Sequence, residues 1–259
     1  MTDQTILSLY KKFLISGLVS TDSRTIKKNS IFFALKGENF DGNQFAQDAL
    51  DRGALCSVID DNTIKTRSDK FILVDNCLKA LQDLAITHRE NLDIPVIGLT
   101  GSNGKTTTKS LLAECLKSKY VTHSTKGNLN NHIGVPLSIL AIKDSCEVAV
   151  IEMGASAVGE IKQLCDISKP TIALITNISG AHLKGFKNIE GVIRGKSELF
   201  DFILKNGGKV FINNKDKVLK NFIKRFSDPI EVHGENSFCK IKLLESEPNI
   251  IFSDSNDNE

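Results

Sequence analysis

No apolar run in the 259 residues approaches the ~20 needed to span a bilayer. None of the six cysteines, Cys56, Cys77, Cys115, Cys146, Cys165 and Cys239, stands in a C-x-x-C pair, so neither a zinc site nor a disulfide framework is indicated. Their neighbours are mostly apolar, as in Ala54-Leu55-Cys56-Ser57-Val58-Ile59, and they read as buried reduced thiols of a cytoplasmic protein. Net charge is nearly absent: 33 Lys and Arg against 31 Asp and Glu leave +2. That field is too weak to draw nucleic acid or an anionic membrane, so any anion must be held by a local site. Repeats and low-complexity tracts are missing. A signal peptide is not expected, because Asp3 precedes Lys11 and Lys12, and Thr21-Asp22-Ser23-Arg24 follows the apolar patch Phe13–Val19. The patch reads as the end of a core helix. What is present, 41% hydrophobic and 25% charged residues, suffices to offset the entropy of ordering a globular chain. At ~150 residues per domain the length suggests two domains.

Apolar bursts at Cys56–Ile59, Phe71–Val74, Val96–Thr100, Val148–Glu152, Thr171–Thr176 and Lys209–Ile212 predict buried strands. Helical stretches at Cys77–Arg89, Thr106–Lys117, Val158–Asp166 and Glu190–Leu204 lie between them. This alternation predicts an α/β fold with a mainly parallel sheet, whose ligands gather at the carboxyl ends of the strands. Pro95 interrupts a helix and precedes a fresh strand, so a boundary is expected there. Residues 1–93 would form a small N-terminal α/β substrate domain. Residues 94–259 would form a P-loop-type sheet flanked by helices. Lys240–Leu244 and Ile250–Phe252 read as two further strands near the polar end of the sequence.

The strongest motif is Val96-Ile97-Gly98-Leu99-Thr100-Gly101-Ser102-Asn103-Gly104-Lys105-Thr106-Thr107-Thr108. A buried strand runs through a glycine loop into a helix. Gly101 and Gly104 let successive backbone N–H groups face one anion, and the helix N-terminus adds partial positive charge. Lys105 would reach the outer phosphates and Thr106 would offer its hydroxyl to magnesium. Gly101 and Gly104 are three apart, and Leu99 stands where the usual Walker pattern has its first glycine. Glu152 ends a buried strand and is a candidate metal ligand. His182 follows the strand 171–176 and could join a metal site if carboxylates accompany it. Lys196 on spacing alone is a solvated helix lysine; a neutral amine that added CO2 would instead be an anionic carbamate ligand. Asn128-Leu129-Asn130-Asn131-His132-Ile133-Gly134-Val135-Pro136 suits a turn or hydrogen bonds to a substrate or base. In the first domain Thr21-Asp22-Ser23-Arg24 and Phe33–Gly42 combine turn formers with a cation, and Arg24 and Lys36 could hold a diphosphate or simply sit in ordinary loops.

Gly101-Ser102-Asn103-Gly104-Lys105-Thr106-Thr107 resembles the short phosphate loop of the Mur ligase family of bacterial cell-wall synthesis, and the resemblance runs over essentially the whole chain. Three more stretches resemble one branch of that family: Gly127–Pro136, Glu152-Met153-Gly154-Ala155 with Gly159-Glu160-Ile161, and Thr176–Phe186. That branch joins D-alanyl-D-alanine to UDP-N-acetylmuramoyl-tripeptide. The resemblance implies ATP against Gly101, Ser102, Asn103, Gly104, Lys105, Thr106 and Thr107, with Asn131 near the nucleotide. It implies two magnesium ions, one on Thr106 and Glu152, the other on His182 and Lys196 carbamylated by CO2. It implies a UDP-sugar against Ser23, Arg24, Lys36, Gly37, Asp41 and Gly42. The catalytic residues would be Lys105, Lys196 and His182, in a cytoplasmic monomer that binds neither nucleic acid nor membrane. Family members carry a third domain of over a hundred residues that closes over ATP. The chain is expected to stop inside the central domain and to lack that ligase domain.

The implied chemistry is amide-bond formation through an acyl phosphate. Three other readings stand beside it. One is a P-loop GTPase or kinase, though the guanine-reading Asn-Lys-x-Asp of a GTPase is not met: Asn214-Lys215-Asp216-Lys217 has the acid one place early. A non-catalytic binder of nucleotide or UDP-muramoyl peptide, and the sister ligase adding the third peptide residue, both remain open.

Overall fold

The computed structural model describes residues 3–64, 69–180, 183–232, 242–245 and 251–253. In chain order it begins with α1 (Asp3–Ser16), β1 (Val19–Ser20), β2 (Ile31–Phe33), β3 (Lys36–Gly37), β4 (Phe40–Asp41), α2 (Ala46–Asp51), β5 (Cys56–Ile59), β6 (Phe71–Leu73) and α3 (Cys77–Glu90). It continues with β7 (Val96–Thr100), α4 (Lys105–Lys117), β8 (Thr122–Ser124), α5 (Gly134–Leu140), β9 (Val148–Glu152), α6 (Glu160–Ser168) and β10 (Ile172–Ile175). The last elements are α7 (Leu183–Phe186), α8 (Ile189–Asn206), β11 (Lys209–Asn213), β12 (Ile230–Val232) and the antiparallel hairpin β13 (Lys242–Glu245) and β14 (Ile251–Ser253). The strand–helix alternation of the sequence is thus an α/β fold. The chain gathers into two compact units. One comprises Met1–Ile94, 125–147 and 166–169; the other comprises 95–124, 148–165 and 170–259.

The first unit carries the parallel sheet β1-β2-β5-β6. Its inner strands β2 and β5 are buried at every residue, as expected of strands covered on both faces. Asn76 caps α3 by accepting from the Lys79 N–H at 2.8 Å, and Cys77, Leu81, Leu84, Ala85 and His88 recur at helical spacing on its buried face. Residues 125–147 follow the Pro95 boundary in sequence, yet they gather with this unit because α5 lies along α3. The Gln82 side chain donates to the His132 carbonyl at 3.0 Å. His88 Nε2 lies 3.1 Å from the Ile142 carbonyl, and burial holds its imidazole below the ordinary pKa. The buried Arg89 guanidinium donates to the carbonyls of Leu92, Ser168 and Lys169, satisfying chain ends that would otherwise be orphaned. The apolar patch near the N-terminus divides. Leu9 and Phe13, four apart, enter the core, whereas Leu14 and Ile15 on the opposite face of α1 are exposed.

The second unit carries the six-stranded parallel sheet β12-β11-β10-β7-β9-β8. β7 and β9 are buried along their whole length and lie side by side, with Leu99 opposite Glu152. α4 packs against β7, β8 and β9, and α8 against β7, β10 and β11. Phe200 of α8 anchors the chain beyond β11 through edge-on contacts with Phe222 and Phe226, centroids 5.6 and 5.8 Å away.

Cys56, Cys77, Cys146 and Cys165 are buried, and burial pushes the Cys56 thiol up to about 11. Cys115 departs from the buried reading: it is exposed on α4, and Cys239 lies outside the described residues. Among the described residues no helix is long and apolar enough to cross a membrane.

Candidate functional site

At the carboxyl end of β7 the chain turns through Gly101–Gly104 into α4. Gly101 has φ +154°, and a Cβ there would sit 1.9 Å from Thr176 Oγ1; Gly104 has φ +77° at the helix start. Both conformations need glycine, and both turn the backbone into a concave loop ahead of the α4 N-terminus. The loop is fastened to the segment after β10. Ser102 N–H donates to the Asn177 carbonyl at 3.0 Å, Ser102 Oγ to the Ser179 carbonyl at 2.9 Å, and Ser179 N–H returns a bond to Ser102 Oγ at 2.9 Å. Thr176 Oγ1 and Asn177 Nδ2 both donate to the Asn103 carbonyl, at 2.7 and 3.0 Å. Residues 176–179 are thus the clamp that shapes the glycine loop.

Lys105 curls back over the loop, its ammonium donating to the carbonyls of Gly101 and Ser102 at 2.9 and 3.3 Å. Thr106 and Thr107 are exposed on the first turn of α4. The Thr106 hydroxyl donates to Glu152 Oε1 at 3.3 Å, so two of the expected metal ligands meet. Glu152 is 1% exposed, and on its other oxygen stands Lys109 Nζ at 3.3 Å, a buried ion pair that sequence reading missed. The signal was there: Lys109 lies three residues beyond Thr106, on the same helical face.

Lys196 is not a solvated helix lysine. It lies on α8 at 1% exposure, with its ammonium 5.6 Å from the centre of the Phe186 ring. Burial, with the charge of Lys105 added, lowers its pKa from 10.5 to about 8. Two places along α8, Glu198 accepts from the N–H groups of Gly159 and Lys162 at 2.6 and 2.8 Å. It thereby caps α6 in the segment that follows Glu152. His182 lies outside the described residues.

Asn131 belongs to the first unit, where its side-chain oxygen accepts from the N–H groups of Ile133 and Gly134 and caps α5. The asparagine-rich stretch is therefore a helix start as much as a turn, with Pro136 tolerated in the first turn. Ser23 is buried in a short 3-10 turn capped by Asp22. Arg24 makes a bidentate pair with Asp22, Nε to Oδ1 at 2.9 Å and Nη2 to Oδ2 at 2.8 Å, which lowers the Asp22 pKa to about 2. Lys36 and Gly37 form β3 and Asp41 ends β4. Lys36 Nζ contacts Asp60 Oδ1 at 2.9 Å. Asp60 also accepts from Asn43 Nδ2 and from the Cys77 N–H, while Asp41 accepts from Asn43 as well. Burial works to raise the Asp60 pKa, but these bonds overcome it and the pKa is lowered. Gly42 N–H closes the loop by donating to the Leu35 carbonyl.

Oxygen donors from a hydroxyl and a carboxylate at the foot of a phosphate loop suit magnesium. Among the described residues no group of three or more His, Cys, Asp or Glu could hold a metal. An ion on Thr106 and Glu152 would therefore complete its shell with water and phosphate oxygens.

Residues 99–253 match the Mur ligase middle domain, and residues 17–89 match the Mur ligase family, catalytic domain. The chain is 40% identical over 208 residues to a UDP-N-acetylmuramoyl-tripeptide–D-alanyl-D-alanine ligase of Bacillus subtilis, covering 80% of this chain and 45% of that protein. The enzyme of that name from Escherichia coli is 38% identical over 198 residues, covering 76% of this chain and 43% of its own length. A crystal structure of MurF ligase from Thermotoga maritima in complex with ADP superposes with TM-score 0.82 at 30% identity, covering 98% of this chain and 57% of that one. The chain spans about half the length of the curated relatives it matches.

Proposed function

The chain belongs to the Mur ligase family, and we propose that it forms the substrate- and ATP-binding part of a ligase. The reaction adds D-alanyl-D-alanine to UDP-N-acetylmuramoyl-tripeptide. The observation that carries this reading is the glycine loop with Lys105 above it and the Thr106–Glu152 contact beneath it.

A carboxylate is a poor acyl donor because oxide is a poor leaving group. In the proposed reaction the tripeptide carboxylate attacks the γ-phosphorus of ATP, the bond to the β,γ-bridging oxygen breaks, and ADP departs. The amine of D-alanyl-D-alanine then attacks the acyl carbon, loses a proton, and inorganic phosphate leaves. Two anions must meet in the first step. Lys105 would turn from its loop carbonyls to the phosphates, and the loop N–H groups not engaged by Asn177 would hold the β-phosphate, an arrangement worth most where water is excluded. Magnesium, when bound, supplies charge neutralisation at the phosphate oxygens. Thr106 and Glu152 would hold one ion, and His182 with Lys196 a second.

Lys196 would serve as a carbamate. Its environment supports that role: an amine with pKa near 8 is partly neutral at physiological pH, and only the neutral amine adds CO2. Carbamate formation from the ammonium releases two protons, one to free the amine and one as CO2 adds, and replaces a buried cation by an anion able to ligate metal. Ser23, Arg24, Lys36, Gly37, Asp41 and Gly42 would receive the UDP-sugar, with Arg24 and Lys36 exchanging their aspartates for the diphosphate. The substrates are small molecules, and we read the chain as a cytoplasmic monomer.

Phosphate release from ATP, measured with each substrate omitted in turn, tests the assignment. A ligase of this specificity releases phosphate only with both UDP-tripeptide and D-alanyl-D-alanine present; acceptance of a diamino acid instead would assign the sister ligase. The second reading is a non-catalytic binder of the same ligands. It would show affinity for ATP and UDP-tripeptide without turnover.

A further inference from the structure

Thr106 and Lys109 lie on one face of α4, and both reach Glu152 at the end of β9. Thr106 takes one carboxylate oxygen at 3.3 Å, and Lys109 stands at the other at 3.3 Å, with side chains 5% and 1% exposed for the lysine and glutamate. A carboxylate removed from water to this degree is costly unless a positive charge accompanies it. Lys109 supplies that charge in the metal-free chain. It also stands where it repels any cation approaching Glu152. Among the described residues no acidic or histidine cluster could hold a metal by itself. Among the described residues a lone metal ion at Glu152 therefore meets one carboxylate that is already paired with a cation.

We propose that Lys109 is a positioning residue that stands in for magnesium on Glu152 and makes metal binding conditional on the nucleotide. Without nucleotide the Lys109–Glu152 pair keeps the carboxylate fixed and the free ion out. With nucleotide, the phosphates bring enough negative charge for magnesium to share Glu152 despite the lysine. This rests on the nucleotide site proposed above, but its test needs no turnover.

The experiment is thermal unfolding of the chain with and without millimolar magnesium, in the absence and presence of ADP, for the parent and for Lys109→Met and Lys109→Arg. The parent is expected to ignore magnesium alone and to be stabilised by magnesium with ADP. Lys109→Met is expected to melt lower and to be restored by magnesium alone, with free-ion affinity raised on the order of tenfold. Lys109→Arg keeps the charge and should behave as the parent. A double change, Lys109→Met with Glu152→Gln, removes both charges and should fold without responding to free magnesium, which covers the case in which the single variant does not fold. Lowered stability of Lys109→Met that magnesium does not restore would overturn the proposal, because the lysine would then be packing alone. So would a parent stabilised by free magnesium as strongly as the variant. Failure of ADP to stabilise any form would instead strike the nucleotide-site reading, leaving the nucleotide-free comparison intact.

Discussion

In the first unit Arg24 and Lys36 each lean on a carboxylate, Asp22 and Asp60, and both ion pairs reach solvent. In the second unit Lys105 leans on two backbone carbonyls, and Lys196 is buried under the influence of Lys105. A cation paired with a carboxylate is neutral at rest, and an incoming diphosphate must compete with the partner. A cation held by carbonyls keeps its charge, and with the loop N–H groups it presents net positive potential to an anion. On this contrast the second loop would be the stronger anion site, and the first, in the proposed function, would select by shape rather than charge. In the proposed reaction this asymmetry would let the second loop grip a nucleoside triphosphate at its reacting end while the first need only position a UDP-sugar.

Substitutions can break or sharpen that contrast. The largest effect is expected from Gly101→Ala, which drives a methyl group into Thr176 Oγ1 at a backbone angle closed to alanine. Nucleotide binding by calorimetry should fall at least a hundredfold and stability by about 3 kcal/mol, with UDP-tripeptide affinity kept. Equal loss of both ligands would show that the two sites are not separately built. Asp60→Asn is expected to be next. It frees Lys36 and weakens the bonds from Asn43 and the Cys77 N–H, so the β3–β4 loop loses its anchor. UDP-tripeptide affinity should drop on the order of tenfold, with ATP affinity unchanged. A rise in UDP-tripeptide affinity would mean that pairing with Asp60 restrains Lys36 more than it positions it.

A pH series probes the second unit from another side. The folded pKa of Lys196, about 8, lies below its ordinary 10.5, so between these values the unfolded chain holds a proton that the folded chain has lost. Stability should therefore rise with pH across that window, by on the order of 3 kcal/mol at most. Lys196→Met should remove that component of the rise in urea unfolding. The smallest effect is assigned to Asp22→Asn. Its partner Arg24 is 84% exposed, and solvent screening leaves surface pairs of this kind contributing little to stability. A large loss of stability there would remove the distinction between a surface pair and a built site.

The parallel sheets were legible because Val96–Thr100 and Val148–Glu152 are five-residue runs buried at every position, and burial on both faces writes itself as uninterrupted apolar sequence. β1, β2, β8 and β12 were not, since each is only two or three residues long, and all but the buried inner strand β2 are half-exposed edge strands. α5 was hidden by Pro136, which reads as a breaker until the helix is known to start at Gly134. The phosphate loop announced itself through glycine spacing. Lys109, Lys196 and Glu198 did not, because a charged residue on a helix looks the same in sequence whether it faces water or a buried partner. Only packing distinguishes them: α4 against β9 brings Lys109 to Glu152, and Lys196 is buried beside the Phe186 ring. Asn177 and Ser179 acquire meaning only when β10 lies beside β7 and their loop meets Gly101–Gly104.

The central claim is that the backbone from Gly101 to Thr106 wraps the terminal phosphates of a nucleotide. Backbone amide resonances followed by NMR during titration with ADP and magnesium address it directly. The account expects the amides of Gly101, Gly104, Lys105 and Thr106 to shift most, in register with saturation, and the shifts to vanish in Lys105→Ala at the same ligand concentration. Saturable shifts confined to other loops, or undiminished shifts in Lys105→Ala, would contradict it.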